Sequence, residues 1–174
     1  PKIDIIMKDA IGRDWQMGTM QLDFQQPRRF ELEYMDKDGK KKTPAVIHRV
    51  IYGSLERFIG ILIEHYAGAF PLWLSPVQVK VIPISEDKHL DYASEVFKIL
   101  KKNDIRVELD ESNESLSKKI RNAKMQKIPY LIIIGDKEKD SKKLTVEGRN
   151  NEKLENITTD EFFAKLKKEI EEKK

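Results

Sequence analysis

The sequence predicts an α/β protein in two parts. Residues 1–75 read as antiparallel strands with one long helix, and residues 76–174 as a mixed-sheet α/β domain of order βαβαββα. Three observations carry this. Polar and apolar residues alternate in QLDF and FELEY, the period of a half-buried strand. The stretch GAFPLWLSP (68–76), with one glycine and two prolines, interrupts any regular element, and the pattern changes after it. PYLIIIG (129–135) is apolar nearly throughout, as expected of a strand central in a sheet covered on both faces.

Taken in order, IDIIM (3–7), WQMGTMQLDF (15–24) and RFELEYM (29–35) read as strands. DKDGKKK (36–42) reads as an exposed hairpin turn on its Asp-Gly pair, and TPAVIHRV (43–50) as the returning strand. A helix follows at 53–67. In the second part, VQVKVIPI (77–84) is a strand and DKHLDYASEVFKILKKN (87–103) a helix, with Ala93, Val96, Phe97 and Leu100 at helical spacing. IRVEL (105–109) is a strand, and ESLSKKIRNAKMQK (114–127) a helix facing inward through Leu116, Ile120 and Ala123. After PYLIIIG comes a weaker strand, KLTVEG (143–148). The final helix opens on a capping box, Thr158 with Glu161, and carries Phe162, Leu166 and Ile170 as its stripe.

Composition bounds the function. The 174 residues are 39% hydrophobic and 36% charged, with a net charge of +3, which suits a globular protein with a heavily charged surface. That excess is too small to demand a nucleic-acid partner, although local patches can still attract one. With no cysteine there is no disulfide, thiol nucleophile or Cys-based zinc site in the chain. No apolar run reaches membrane-spanning length and nothing resembles a signal peptide, so no membrane partner and a cytoplasmic home are expected. The chain opens Pro-Lys directly into a strand, which leads us to expect a piece of a longer protein.

The helix at 53–67 poses the sharpest question. On a helical wheel Leu55, Phe58, Ile59, Leu62, Ile63 and Tyr66 share one face, a full core stripe. Arg57 points the other way, in the company of Gly53, Gly60, Ile61 and Glu64. A glycine in a helix interior costs about 1 kcal/mol against alanine, so Gly60 suggests close approach of another group. A planar guanidinium over a bare helical floor suits stacking on a flat ring or pairing with phosphate. The plain alternative is a surface arginine.

The wording answers more specifically. GSLERFIGILIEHYAG (53–68), followed by FPLWLSPVQV (70–79), closely resembles the third signature motif of the class II aminoacyl-tRNA synthetases, in the form carried by the threonyl branch. WQMGTMQLDFQQPRRFELEY (15–34) and AVIHR (45–49) strengthen the match, and IRNAKMQKIPYLIIIGDKE (120–138) resembles that branch's anticodon-binding domain. The resemblance implies the end of an antiparallel-sheet class II catalytic domain (1–75) followed by a mixed-sheet anticodon-binding domain (76–174). It implies ATP-dependent activation of threonine and its transfer to threonine tRNA, with Mg2+ and Zn2+ as metals and a homodimeric full-length enzyme.

Residue by residue, the resemblance makes Arg57 the arginine that stacks on the adenine of ATP, and Gln16 a second ATP-holding group. It places Gln21 near the reacting end and Lys2 at the mouth of the site. His48 matches one of three zinc ligands. In the family, zinc takes the amino group and hydroxyl of threonine, and valine has no hydroxyl to offer a Lewis acid. The other two ligands and the first two class II motifs are not in this sequence, so the chain alone is expected neither to hold zinc tightly nor to make the adenylate. His65 and His89 have no such support and read as structural.

In the second domain Asn113 and Glu138 match anticodon readers, while Arg121, Lys127 and Arg149 are candidates for phosphate or base contacts. The sequence departs from the family at Ser112, where arginine is usual, at Ser117, where glycine is usual, and at Glu147, where a base-contacting arginine is common. A carboxylate there is expected to repel phosphate or to pass the role to Arg149. Two functions stay open: part of a threonine–tRNA ligase, or a non-catalytic tRNA-binding accessory module derived from one.

Overall fold

A computed structural model describes residues 1–150 and 152–174. By contact the chain divides into two compact units, Pro1–Tyr66 and Ala67–Lys174.

In the first unit, β1 (Lys2–Lys8) pairs antiparallel with β2 (Asp14–Asp23), and β2 with β5 (Val46–Val50), giving a three-stranded sheet of order β1-β2-β5. The turn between β1 and β2 is organised by the Asp9 carboxylate. It accepts the backbone N–H groups of Ile11 and Arg13, the Arg13 guanidinium at 2.6 Å and the Trp15 indole N–H at 2.9 Å. The β1–β2 register shifts between Ile5 and Ile6, so that Ile5 faces Gly18 while Ile6 faces Gln16, and Met17 is the extra residue of a bulge.

The segment RFELEYM is not the strand its alternation predicts. Residues 25–29 form a short helix, α1 (Gln25–Arg29), and only Tyr34–Met35 (β3) is extended, paired with Lys41–Lys42 (β4) around a turn in which Gly39 takes φ 73°. The cause lies just upstream. Asp23 accepts the N–H groups of Gln25 and Gln26, which nucleates a helical turn, and Pro27 fits that first turn because its missing N–H has no helical partner there. The Asp-Gly hairpin turn itself forms as expected, on its own two-stranded ribbon.

Helix α2 (Leu55–Tyr66) forms as predicted, but its apolar stripe is rotated. Phe58, Ile61 and Leu62 are half-buried and, with Met7 and Met17, line a cavity of about 370 Å³. Leu55, Ile59 and Ile63, placed in the stripe by the wheel, are 61%, 51% and 47% exposed. Gly53 precedes the helix with φ 69°, and a Cβ there would meet the Met17 carbonyl at 3.1 Å, so this position does require glycine. Gly60 is different: among the described residues, a Cβ would meet nothing within 4 Å beyond its chain neighbours and its own helix backbone.

The second unit is a five-stranded mixed sheet of order β10-β9-β8-β6-β7. Strand β6 (Val79–Pro83) and helix α3 (Glu86–Lys102) lead to β7 (Val107–Leu109), and α4 (Leu116–Met125) leads to β8 (Tyr130–Ile134); β6 is parallel to both β7 and β8. A short helix α5 (Asp136–Ser141) then turns the chain into β9 (Leu144–Gly148), antiparallel to β8, and into β10 (Lys153–Ile157). Strand β8 is central, as its unbroken apolar run predicts. Helix α5 and strand β10 are additions to the predicted order. Helix α6 (Thr159–Glu171) closes the domain, and its predicted capping box forms: the Thr158 hydroxyl accepts the Glu161 N–H, and the Glu161 carboxylate accepts the Thr158 N–H.

The main core joins α3, α6 and one sheet face through Val79, Val81, Val96, Leu100, Ile132, Val146, Phe162 and Leu166, and a smaller cluster of Ile82, Ala123, Ile128 and Leu131 lies under α4. Leu72 from the proline-rich stretch belongs to the main core. That stretch is fastened by side chains. Gln78 donates to the Leu72 carbonyl, and Arg106 donates to the carbonyls of Ser75 at 2.8 Å and Trp73 at 2.8 Å.

Candidate functional site

In the first unit, strand pairing sets Lys2, Gln21 and His48 side by side, because Lys2 faces Gln21 on β2 and Gln21 faces His48 on β5. All three line one open groove of about 920 Å³, together with Thr19, Asp23 and Arg28. Gln16 joins this row through the bulge. Residues 16 and 19 would otherwise lie on opposite faces of β2, yet Gln16 and Thr19 both donate to Asp4 Oδ1, at 2.9 and 2.8 Å. Lys2 Nζ lies 2.7 Å from the other oxygen of Asp4. The Lys2 ammonium, and then the Thr19 hydroxyl, hold the Asp4 carboxyl below the usual carboxylate range.

His48 Nε2 stands 3.1 Å from Asp23 Oδ2. The Asp23 carboxyl is also held low, chiefly by the N–H groups of Gln26 and Gln25 and further by His48. So one aspartate both starts α1 and orients the imidazole. Among the described residues no group of three His, Cys, Asp or Glu side chains stands close enough to hold a metal. His48 and Asp23 are two donors, where a catalytic zinc site takes three from protein.

Arg57 stands apart from that row. Its guanidinium carbon lies 5.3 Å from the centre of the Trp15 ring, and Arg13 approaches the same ring at 5.6 Å. The Ser54 hydroxyl accepts the Arg57 N–H at 3.3 Å, supporting the first turn of α2. Together these groups offer two cations at the aromatic ring of Trp15, and amide and ammonium donors along the groove of Lys2, Gln21 and His48. That chemistry suits recognition of a polar, anionic ligand.

In the second unit, Asn113 is exposed on the loop after β7. Ser112 anchors that loop by donating its hydroxyl at 2.5 Å and its N–H at 3.1 Å to Asp110. Asp110 is buried. Burial pushes its carboxyl up, but the Ser112 hydrogen bonds and the charges of Lys80 and Lys119 outweigh this and leave it below the usual range. Glu138, on α5, accepts the Gly135 N–H at 3.0 Å and the Thr145 hydroxyl at 2.7 Å, which fixes its carboxylate. Arg121 is exposed on α4.

Arg149 donates to the carbonyls of Lys127 and Phe70, each at 3.0 Å, and burial lowers its pKa. Lys127, at φ 59°, and Arg149 line a cavity of about 400 Å³ with Lys124 and Glu147. Glu147 does not stand there as a bare anion: Lys124 Nζ lies 2.6 Å from its carboxylate.

Sequence reasoning did not single out Asp4, Thr19, Asp23, Trp15 or Lys124. Asp4 is legible in retrospect, two residues from Lys2 on the same strand face. Asp23 is legible as a helix-starting residue before Gln-Gln-Pro. Nothing local marks Lys124, whose partner Glu147 is 23 residues away, or the approach of Arg57 to Trp15.

Two family profiles match the chain: the tRNA synthetase class II core domain (G, H, P, S and T) over residues 1–66, and the anticodon binding domain over residues 78–169. The chain thus belongs to the class II aminoacyl-tRNA synthetases, with part of the core domain preceding an anticodon-binding domain. Within that class it is similar to threonine enzymes. It is 58% identical over 170 residues to the threonine–tRNA ligase of Caldanaerobacter subterraneus subsp. tengcongensis, covering 98% of this chain and 26% of that protein. It is 55% identical to that of Clostridium kluyveri, covering 99% of this chain and 27% of that protein. Among solved structures, the RNA binding domain of threonyl-tRNA synthetase from Cryptosporidium parvum superposes with a TM-score of 0.84 at 39% identity, over 97% of this chain and 42% of that one. The chain therefore spans about a quarter of the length of the curated relatives it matches. Among the described residues no helix is long and apolar enough to cross a membrane.

Proposed function

We propose that this chain acts within a threonine–tRNA ligase, an enzyme that activates threonine with ATP and transfers it to threonine tRNA. The observation that carries this reading is the single groove shared by Lys2, Gln21 and His48 in a unit followed by an anticodon-binding domain. Arg57 and Gln16 are the groups for ATP, and Mg2+ accompanies its phosphates. Lys2 and Gln21 orient the reacting end. His48, held by Asp23, is one prospective zinc ligand, and its fellow ligands come from outside these residues. Asn113 and Glu138 read anticodon bases, with Arg121, Lys127 and Arg149 on the flanking backbone. The full-length enzyme is a cytoplasmic homodimer.

Two features support the RNA half. Single-stranded bases are read by fixed hydrogen-bonding groups beside cations, and Glu138 is fixed while Lys127 and Arg149 lie on one rim. The test is binding to a threonine-tRNA transcript and to an anticodon-swapped transcript at two salt concentrations. Weaker binding of the swapped transcript at both salts is expected. Equal binding that collapses with salt would leave only phosphate attraction and remove Asn113 and Glu138 from the site.

A further inference from the structure

The cavity rimmed by Lys124, Lys127 and Arg149 sets three cations around a single wall. Its one carboxylate is Glu147, whose side chain is 20% exposed and whose backbone is locked in β9 opposite Leu131. Its partner Lys124 rises from the last turn of α4 with a side chain 54% exposed. The two halves of this pair thus differ in freedom: the acid is part of the wall and the base is a mobile arm. Arg149 is already committed to two carbonyl groups, and one of these, on Lys127, holds the position of that residue. Lys124 and Lys127 are therefore the cations able to turn toward a ligand.

The Lys124 ammonium is half exposed, so a phosphate oxygen can reach it from solvent and take the place of the Glu147 carboxylate. With three cations and one carboxylate around it, the cavity is net positive and attracts an anion even with Glu147 charged. We propose that Lys124 and Lys127 form a phosphodiester-binding site for single-stranded RNA, and that Glu147 gates it by holding Lys124 when RNA is absent. This rests on the RNA-binding reading given above. When a backbone phosphate enters, the Lys124 ammonium passes from the Glu147 carboxylate to the phosphate oxygen. Glu147 then acts as a negative wall that rejects any strand path not offering Lys124 a phosphate. Lys124 is thereby a specificity-determining residue, and Glu147 controls it.

The experiment uses the whole chain and the threonine-tRNA transcript, with affinity measured across a salt series. Lys124→Gln is expected to weaken binding several-fold and to lower the slope of log affinity against log salt by about one, the signature of one lost phosphate contact. Lys124→Arg is expected to restore the slope, which a merely structural role would not require. Glu147→Gln is expected to tighten binding, because the competing anion is gone. Adding Lys124→Gln to that background is expected to lower the slope again. If the unaltered chain binds the transcript but Lys124→Gln changes neither affinity nor slope, the gated site is wrong and the RNA reading stands. If Glu147→Gln weakens binding, the gate is wrong. If the unaltered chain binds no transcript at all, both this site and the reading beneath it fall.

Discussion

The guanidinium of Arg57 is held over the indole of Trp15, at 5.3 Å from the ring centre, while the edge of that indole donates its N–H to Asp9. A ring that carries two arginine charges, from Arg57 and Arg13, is an unusual platform, and the Asp9 carboxylate at its rim offsets them. The arginine is thus placed before any ligand arrives. An exposed cation–π contact is worth about 0.5–1 kcal/mol. Arg57→Ala is expected to lower the stability of the first unit by about that amount in urea unfolding. An unchanged midpoint would show that Trp15 does not hold the guanidinium.

Asp9 makes a pH prediction. The Trp15 indole N–H, the Arg13 guanidinium and two backbone N–H groups all favour its charged form, and hold its carboxyl far below the usual carboxylate range. A carboxyl lowered on folding contributes stability that is present above its unfolded value of about 4 and is lost as pH falls below that toward the folded value. The first unit should therefore lose stability as pH drops below about 4, and Asp9→Asn should flatten that part of the profile. A variant that keeps the acid limb unchanged would remove Asp9 as its source.

The proline-rich stretch behaves as part of the second unit. Leu72 is 3% exposed, and Arg106 and Gln78 hold the carbonyls around it. Losing one buried leucine costs roughly 2–5 kcal/mol. A chain starting at Ala67 is thus expected to unfold at clearly higher denaturant than one starting at Val77. Equal midpoints would mean that the stretch is carried passively.

Thr158 caps α6 reciprocally with Glu161. Thr158→Ala is expected to cost about 1 kcal/mol, with Thr158→Ser close to neutral. Thermal unfolding of the two variants separates the hydroxyl from the methyl group.

Ser112 supports Asn113 at one remove. Its two hydrogen bonds to buried Asp110 fix the loop that presents the asparagine. Losing one such bond is worth about 1 kcal/mol, or roughly fivefold in binding. Ser112→Ala is expected to reduce the discrimination between native and swapped anticodons by about that factor. Undiminished discrimination would separate Asn113 from anticodon reading.

Much of this architecture was legible in the residues, and the exceptions share a cause. The central strand Tyr130–Ile134, the Thr158–Glu161 cap and the Asp-Gly turn are local signals, and each appears where its pattern stands. FELEY failed because alternation says nothing about the Asp23 side chain two turns upstream, which starts a helix instead. The stripe of α2 failed because a helical wheel knows which residues are apolar but not which way the sheet lies; Ile61 faces the cavity while Ile59 and Ile63 do not. Likewise Lys2, Gln21 and His48 were singled out separately, and only strand pairing makes them a row. The charge reversal at Glu147 was plain in the sequence, but its neutralisation by Lys124 was not, since 23 residues separate them.

The bulge at Met17 gives β2 a property that no single side chain possesses. Along a strand, odd and even positions are two alphabets, one for each face, and Met17 is where the alphabets are exchanged. Deleting Met17 would leave Gln16 and Thr19 two positions apart, so plain alternation would keep both on one surface. Ironing the bulge out with Met17 kept would do the opposite: Met17 would take a place in the ladder, and Gln16 and Trp15 would turn through to the other surfaces. The strand thus carries one residue more than its ladder has places for, and its two faces agree only while that residue stays unpaired.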